Sequence, residues 1–455
     1  MTLAVVAASA IPAQAAVPGT ASVTGTVESS APFTAAEVRL RNVDKRILYM
    51  VYTQAGKFRA VAMFPGNYEV SVKTKGLESA VQKVALKAGD NPALKLALQA
   101  EANPPKKTDA PYDEIYPPGP GREIAERTCI MCHGENWIPS RPGNRALWTA
   151  HLDRMMGRKL DTKPAESYAE GLLTYRAPAL RFTRHDRETL LNYLVANFGP
   201  EKGRRTVTME KEMPLDEAKL GKAMYIEHYL TPDPPGELSN SPKFNGRRRG
   251  QDPRFDAEGN VWLVDRGFPH RLVKLDPRTG VQKDYMLPDP ENGHHEIMID
   301  PTGLIWLPEH SGRKPSTTKR LLQFNPKTEK FEQMIPMDPE NVVNNEIKWL
   351  QSLAMDSKMN FYVGWIMGGA LSKYERATGK VTVFPLPTHN AIVYGVVADR
   401  NDNIFMALWD SGNIAKFNTR NNQWTTFSAP TYPGQVRRLN VDRQNNIWWG
   451  IYSGG

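Results

Sequence analysis

At 455 residues, 40% of them hydrophobic and 24% charged, the chain is globular in composition and too long for one ordinary domain. A formal net charge of +9 is mild over this length, and the densest basic run, NGRRRG at 245–250, reads as a solvated loop. No basic face with interleaved aromatics argues for nucleic acid, and no apolar run of about 20 residues after the N-terminus argues for an internal membrane-spanning helix.

The first segment, 1–16, has a short apolar stretch over 3–10 and then Ala13-Gln14-Ala15, a small-x-small cleavage pattern. It predicts an export signal cut after Ala15 or Ala16, which leaves no transmembrane anchor. The basic residues that usually lead such a stretch are missing, so either the start lies upstream or the segment is an apolar tail.

Residues 18–100 hold short alternating runs such as ASVTGTV, AEVRLRNV, KFRAVAMF and NYEVSVKT, separated by turn residues. Period-2 alternation of this kind predicts an antiparallel β-sandwich. GTV at 25–27, VRL at 38–40, TQAGKF at 53–58 and PGNYEV at 65–70 resemble the carboxypeptidase regulatory-like domain. The resemblance implies a structural or adhesive module, and no catalytic constellation is present. Residues 101–120 then carry six prolines without periodicity, which predicts a semi-rigid, extended linker.

Residues 121–205 change to helical character. RALWTAHLDRMMGRK sets Leu147, Trp148, His151, Leu152 and Met155 on one face, and TRHDRETLLNYLVANFG has a stripe of Leu190, Leu191, Leu194 and Phe198 that stops at Gly199-Pro200. The only two cysteines of the chain lie here, Cys129 and Cys132, with His133 directly after. That is the attachment pattern of a c-type haem. Each thiol adds across one porphyrin vinyl group, and the adjacent imidazole supplies Nε2 to the iron. A redox pair wants a βαβ context, and a zinc site wants a second pair of ligands. The expectation is one covalent haem c, with thioethers from Cys129 and Cys132 and His133 as proximal ligand. The surrounding residues resemble class I cytochrome c, which implies an all-α cytochrome c domain over 121–205 that transfers electrons. In the resembled domains a Trp precedes the distal Met by seven residues, as Trp148 precedes Met155. Met156, His151 and His185 remain as alternatives, and the long stretch RKLDTKPAESYAEGLLTYRAPALR departs from the small-cytochrome pattern. Haem attachment takes place outside the cytoplasmic membrane in bacteria, so the motif and the N-terminal segment both point to the periplasm.

Residues 224–455 repeat. DAEGNVWL, DPTGLIWL, DSKMNFYV, DRNDNIFM and DRQNNIWW begin at Asp256, Asp300, Asp356, Asp399 and Asp442, spaced by 44, 56, 43 and 43 residues. Several short strands per unit predict a β-propeller. The repeat resembles the virginiamycin B lyase-like propellers. No further strands follow the fifth anchor, which predicts a propeller incomplete at the C-terminus. The rival is a five-blade closure in which a strand near 225–230 supplies the missing edge. GHHEIMIDPTGLIWLPEH offers His294, His295, Glu296, Glu309 and His310 as metal ligands for a divalent cation or as general bases, against a plain reading as polar loop residues. No Ser-His-Asp arrangement, P-loop or dinucleotide fingerprint appears, so nicotinamide and flavin sites are not supported. The combined expectation is a multidomain chain: β-sandwich, all-α cytochrome c domain, then propeller. Its implied role is electron transfer by a periplasmic monohaem cytochrome with a redox-protein donor or acceptor, its propeller binding a small-molecule substrate or a partner. A propeller-based lyase or oxidoreductase and a protein-docking scaffold are the alternatives.

Overall fold

The computed structural model describes residues 17–102, 108–130, 133–156, 184–208, 214–232, 248–290, 292–312, 319–343, 349–388, 391–409, 411–428 and 436–451. The chain forms two compact units, one of Met1–Lys107 with Met209–Tyr229 and one of Thr108–Thr208 with Leu230–Gly455.

The first unit is a β-sandwich. Glu37–Asn42 lies between Ile47–Tyr52 and Gly66–Thr74, all antiparallel, while Ala21–Glu28 pairs with Lys57–Met63 and, in parallel, with Leu94–Ala100. Alternate side chains of each strand point inward, as the pleat requires. Val23, Val38, Leu40, Tyr49, Val51, Phe58, Val70, Val72 and Leu96 fill the core. At Gly25 a Cβ would lie 2.5 Å from the Phe58 ring and 2.6 Å from the Leu94 carbonyl oxygen, so only glycine lets these strands close. Met224–His228 joins this sheet antiparallel to Ile47–Tyr52, with Ile226 opposite Tyr49. The strand that the rival five-blade closure would set at the edge of the propeller therefore belongs to the sandwich.

The second unit begins with short helices at Tyr112–Ile115, Pro120–Ala125, Arg145–Met156 and Arg184–Asn197. Pro120–Ala125 crosses Arg184–Asn197 closely. A Cβ on Gly121 would meet Tyr193 Cβ at 2.2 Å. Trp148 donates from Nε1 to the Phe198 carbonyl at 3.1 Å. Ile115 and Tyr116, read from sequence as linker, are buried here with Ile124, Trp148, Leu190 and Leu194. The expected all-α cytochrome c domain is corrected. The chain is mostly β, and a parallel pair, Asp109–Ala110 with Thr206–Val207, closes this segment. Amphipathic periodicity locates helices but does not show what encloses them, and that short sheet carries too few residues to show a period.

Four antiparallel sheets follow in series, each a four-stranded meander, with the first strand of the second sheet broken in two. Their first strands are Gly250–Phe255, Asn292–His294 continued by Met298–Ile299, Trp349–Met355 and Val393–Ala398. A fifth sheet pairs Val436–Val441 with Ile447–Ile451. First strands approach the neighbouring sheets at the centre of the array, as in a propeller. The repeated aspartate has a structural task. Its Oδ1 accepts from the backbone N–H four residues on, at Asn260, Leu304, Asn360, Asn403 and Asn446. In three sheets Oδ2 accepts from the indole N–H of Trp262, Trp306 or Trp448 at 2.8–2.9 Å. The carboxylate thus fixes the turn and the aromatic that enters the next strand. Trp262 and Trp306 are fully buried. Burying one such ring removes roughly 150–250 Å² from water, on the order of 4–6 kcal/mol as an upper bound.

Candidate functional site

All five first strands lose regular register near the same place in the repeat. The breaks fall between Gln251 and Arg254, Asn292 and His294, Leu350 and Leu353, Val393 and Gly395, and Val436 and Arg438. Adjacent strand residues normally face opposite sides, and a bulge re-aims them. Asp252 has φ 52°, a left-handed conformation that aspartate tolerates. The consequence is two layers of side chains at the centre of the array. Five residues before each leading aspartate stand Gln251, His295, Gln351, Tyr394 and Arg437; four before stand Asp252, Glu296, Ser352, Gly395 and Arg438.

The first layer gathers around the buried His295. Gln251 Nε2 is 2.9 Å from His295 Nε2, Gln351 Nε2 is 3.0 Å from Nδ1, and Tyr394 OH is 3.4 Å from Nε2. Arg437 donates to Tyr394 OH at 2.7 Å. Arg266 donates to Gln251 Oε1 at 3.0 Å, which fixes that amide with its nitrogen toward the imidazole. Burial, with His310 and the Arg266 guanidinium nearby, holds the His295 pKa far below its ordinary value, so the ring is neutral. With Nε2 accepting from Gln251, Nδ1 carries the proton. Gln351 Oε1 is buried without a partner, and turning this amide end for end would supply the acceptor that Nδ1–H needs.

The second layer lines a cleft of about 880 Å³. Arg438 donates to Glu296 Oε1 at 3.0 Å, and Arg254 Nη2 lies 3.5 Å from the same oxygen and 3.2 Å from Asp252 Oδ1. Glu296 Oε2 is buried and has no partner. Burial pushes the Glu296 carboxyl up to about 7 against the pull of Arg438. Asp252 is also raised by burial, opposed by the Ile297 N–H and Arg254. A carboxyl poised near neutrality, beside two guanidinium groups, can exchange a proton with whatever enters the cleft.

The remaining sequence candidates sit apart from this cleft. His294 is paired across the sheet with Glu309 and is fully buried, both ring nitrogens without partners, its pKa held well below the ordinary value by burial. Glu309 is taken up by Arg320, whose guanidinium donates to both carboxylate oxygens. His310 Nδ1 donates to the Leu350 carbonyl at 2.9 Å, and its ring lies 5.2 Å from that of His295. Of the five candidates, His295 and Glu296 reach the central layers. Asp252, Arg254, Gln351, Tyr394, Arg437 and Arg438 were missed. The signal was in the repeat, upstream of each aspartate rather than downstream.

In the helical segment Cys129 is half-buried in the π-helical turn Glu126–Ile130, its Sγ 3.5 Å from Thr128 Oγ1. Cys132 lies outside the described residues. The His133 ring stacks on Trp137 at 4.3 Å, and His151 meets the same indole edge-on at 5.7 Å. Met155 and Met156 are on Arg145–Met156, their side chains outside the described residues, and His185 is exposed. The expected haem c and the divalent cation expected in the propeller are both corrected. Among the described residues no group of three or more His, Cys, Asp or Glu is placed to hold a metal ion. In the propeller the physical reason is prior engagement: Arg320 holds Glu309 and Arg438 holds Glu296. The electron-transfer role and the redox-protein partner rested on that haem.

Residues 22–99 match the carboxypeptidase regulatory-like domain family, so the sandwich is a domain of that kind. Among solved structures, the chain is similar to selenomethionine-substituted virginiamycin B lyase from Staphylococcus aureus, with 16% identity and a TM-score of 0.39 over 47% of this chain and 66% of that one. A streptogramin B lyase structure gives 16% and 0.38 over 47% of this chain and 64% of that one. The extracellular domain of a two component system of B. thetaiotaomicron gives 16% and 0.37 over 47% and 27%. The chain thus covers less than two thirds of the length of these lyases. No curated protein matches the chain. Among the described residues no helix is long and apolar enough to cross a membrane.

Proposed function

We propose that the chain is an exported protein whose propeller binds a small polar molecule in its central cleft. One observation carries this reading: all five first strands lose regular register within two to eight residues before the leading aspartate, and charged and polar side chains from several sheets line one cleft there. A fold that needed only stability would keep its central strands regular and apolar, because each buried polar group costs free energy unless paired. The cleft of about 880 Å³ falls in the range of ligand pockets, roughly 300–1,000 Å³. Export rests on the apolar stretch and small-x-small pattern of the N-terminal segment.

The test is a thermal-shift screen of a metabolite library against the wild-type chain and Ala398→Phe. Ala398 lines the cleft, is half-buried and carries no polar group, so the larger ring adds bulk there without removing one; because Ala398 also packs against the apolar core, each shift is read against the variant's own melting temperature. A compound that raises the wild-type melting temperature and leaves Ala398→Phe unmoved supports the reading. A library with no such compound, or with compounds that act equally on both, removes it.

A further inference from the structure

We propose, resting on the reading of the cleft as a ligand site, that its ligand is a small oxyanion, a carboxylate or phosphate, gripped between Arg254 and Arg438, and that binding loads a proton onto Glu296. The two arginines are 45% and 41% exposed at their side chains, whereas the carboxylates they touch, Asp252 and Glu296, are 9% and 8% exposed. The acids therefore lie behind and the guanidinium groups in front. An entering molecule meets N–H donors first, and a guanidinium presents five of them in a planar fork suited to an oxyanion.

Glu296 is the group that must respond. The charged and polar groups facing it are Asp252 and Arg254 from Gly250–Phe255, Ser352 from Trp349–Met355 and Arg438 from Val436–Val441. Val393–Ala398 contributes only Gly395, Val396, Val397 and Ala398, none of them charged, and the flanking His295 is neutral. An anion that recruits Arg438 loosens the 3.0 Å hydrogen bond to Glu296 Oε1 and adds negative charge beside it. Both changes favour the neutral carboxyl. Oε2 is buried and makes no hydrogen bond, with only the Ser352 hydroxyl near enough to offer one, a costly state for an ionised oxygen. The balance is simple. The Arg438–Glu296 ion pair breaks, an Arg438–ligand pair forms, and the new O–H bond on Glu296 takes its proton from the buffer. Burial places this carboxyl at about 7 before any ligand arrives, so the exchange is available at neutral pH.

The experiment is isothermal titration calorimetry of the full chain with tartrate, with inorganic sulfate as a tetrahedral oxyanion like phosphate, both fully ionised above pH 6, and with the uncharged sugar maltose. It is run at pH 6 and pH 8, and near pH 7 in two buffers of different ionisation enthalpy. Tartrate or sulfate is expected to bind, to take up about half a proton near pH 7, where the free carboxyl already holds the other half, and to weaken about tenfold from pH 6 to pH 8. Arg254→Gln and Arg438→Gln each lower affinity about tenfold or more. Glu296→Gln binds without proton uptake and without the pH dependence. The two-buffer proton count needs no variant, so it stands even if Glu296→Gln folds poorly. Proton uptake that persists in folded Glu296→Gln, or anion binding indifferent to both arginine variants, overturns the proposal. So does the failure of both anions to bind. If library compounds still distinguish wild type from Ala398→Phe, that failure leaves the cleft reading standing; if none does, both fall.

Discussion

The aspartate that opens each repeat shows how one residue can be legible in sequence and still carry unread work. Its spacing identified the propeller-like sheets. Its chemistry, a carboxylate holding a turn by one oxygen and an indole by the other, appears only in the structure. Asp300 is the most committed of the five. Its side chain is fully buried and also receives Arg376 Nη1 at 2.7 Å. Burial alone would raise its pKa; the hydrogen bonds from Thr302 and Trp306 outweigh that and hold it below the ordinary carboxylate range. Asp300→Ala leaves Arg376 and the Trp306 indole without their acceptor. The expected loss is about 3–5 kcal/mol of propeller stability, the usual cost of breaking a buried pair from one side. Urea unfolding followed by tryptophan fluorescence measures it, and a loss below about 1 kcal/mol would show that the turn holds without the carboxylate.

At the level of elements, alternation was enough to find the sandwich strands, because one face of each is buried and the other wet. It was not enough to assign Met224–His228. Period-2 patterning says that a strand exists but not which sheet accepts it, and the acceptor, Ile47–Tyr52, lies far back in the chain. The same limit explains Ile115 and Tyr116. Proline-rich composition reads as linker, yet these two residues are buried among the helices. Ile226→Pro removes a backbone donor from the added strand and fixes φ away from the sheet value. Amide exchange in Ile47–Tyr52 should then quicken about tenfold or more while exchange in the propeller strands stays unchanged. Unchanged protection of Ile47–Tyr52 would mean that the sheet closes without its late strand.

At the scale of the whole molecule, the centre of the propeller sets how stability follows pH. Glu296 has a raised carboxyl pKa, so the folded state holds a proton that the unfolded chain has released; its contribution is full below about 4.5 and is lost as pH rises to about 7. His294 and His295 have depressed pKa values and contribute stability above about 6.5 that is lost as pH falls. Below about 6.5 two histidines oppose one carboxyl, so the propeller should weaken on acidification with a net uptake of about one proton on unfolding. Between pH 6.5 and 7 the carboxyl and the two histidines nearly cancel, and stability should level off. Replacing His294 and His295 by Gln should reverse the slope between pH 5 and 6.5 in urea titrations; an unaltered slope would place the acid sensitivity elsewhere. This centre was half legible. His295 and Glu296 stood out as a His-Glu cluster, but Gln251, Gln351, Tyr394 and Arg437 are ordinary residues that gain meaning only from sharing a repeat position.

The strand Met224–His228 has a further consequence, in time rather than space. Its partner, Tyr52 and the residues before it, is synthesised roughly 170 residues earlier, so at about 5–20 residues per second the sheet edge stands open for on the order of 10–35 s. During that interval Ile47–Tyr52 offers an unpaired ladder to any extended segment nearby, including the same strand of a second nascent chain. The first domain of the chain is in this sense finished only after the helical segment that follows it in sequence.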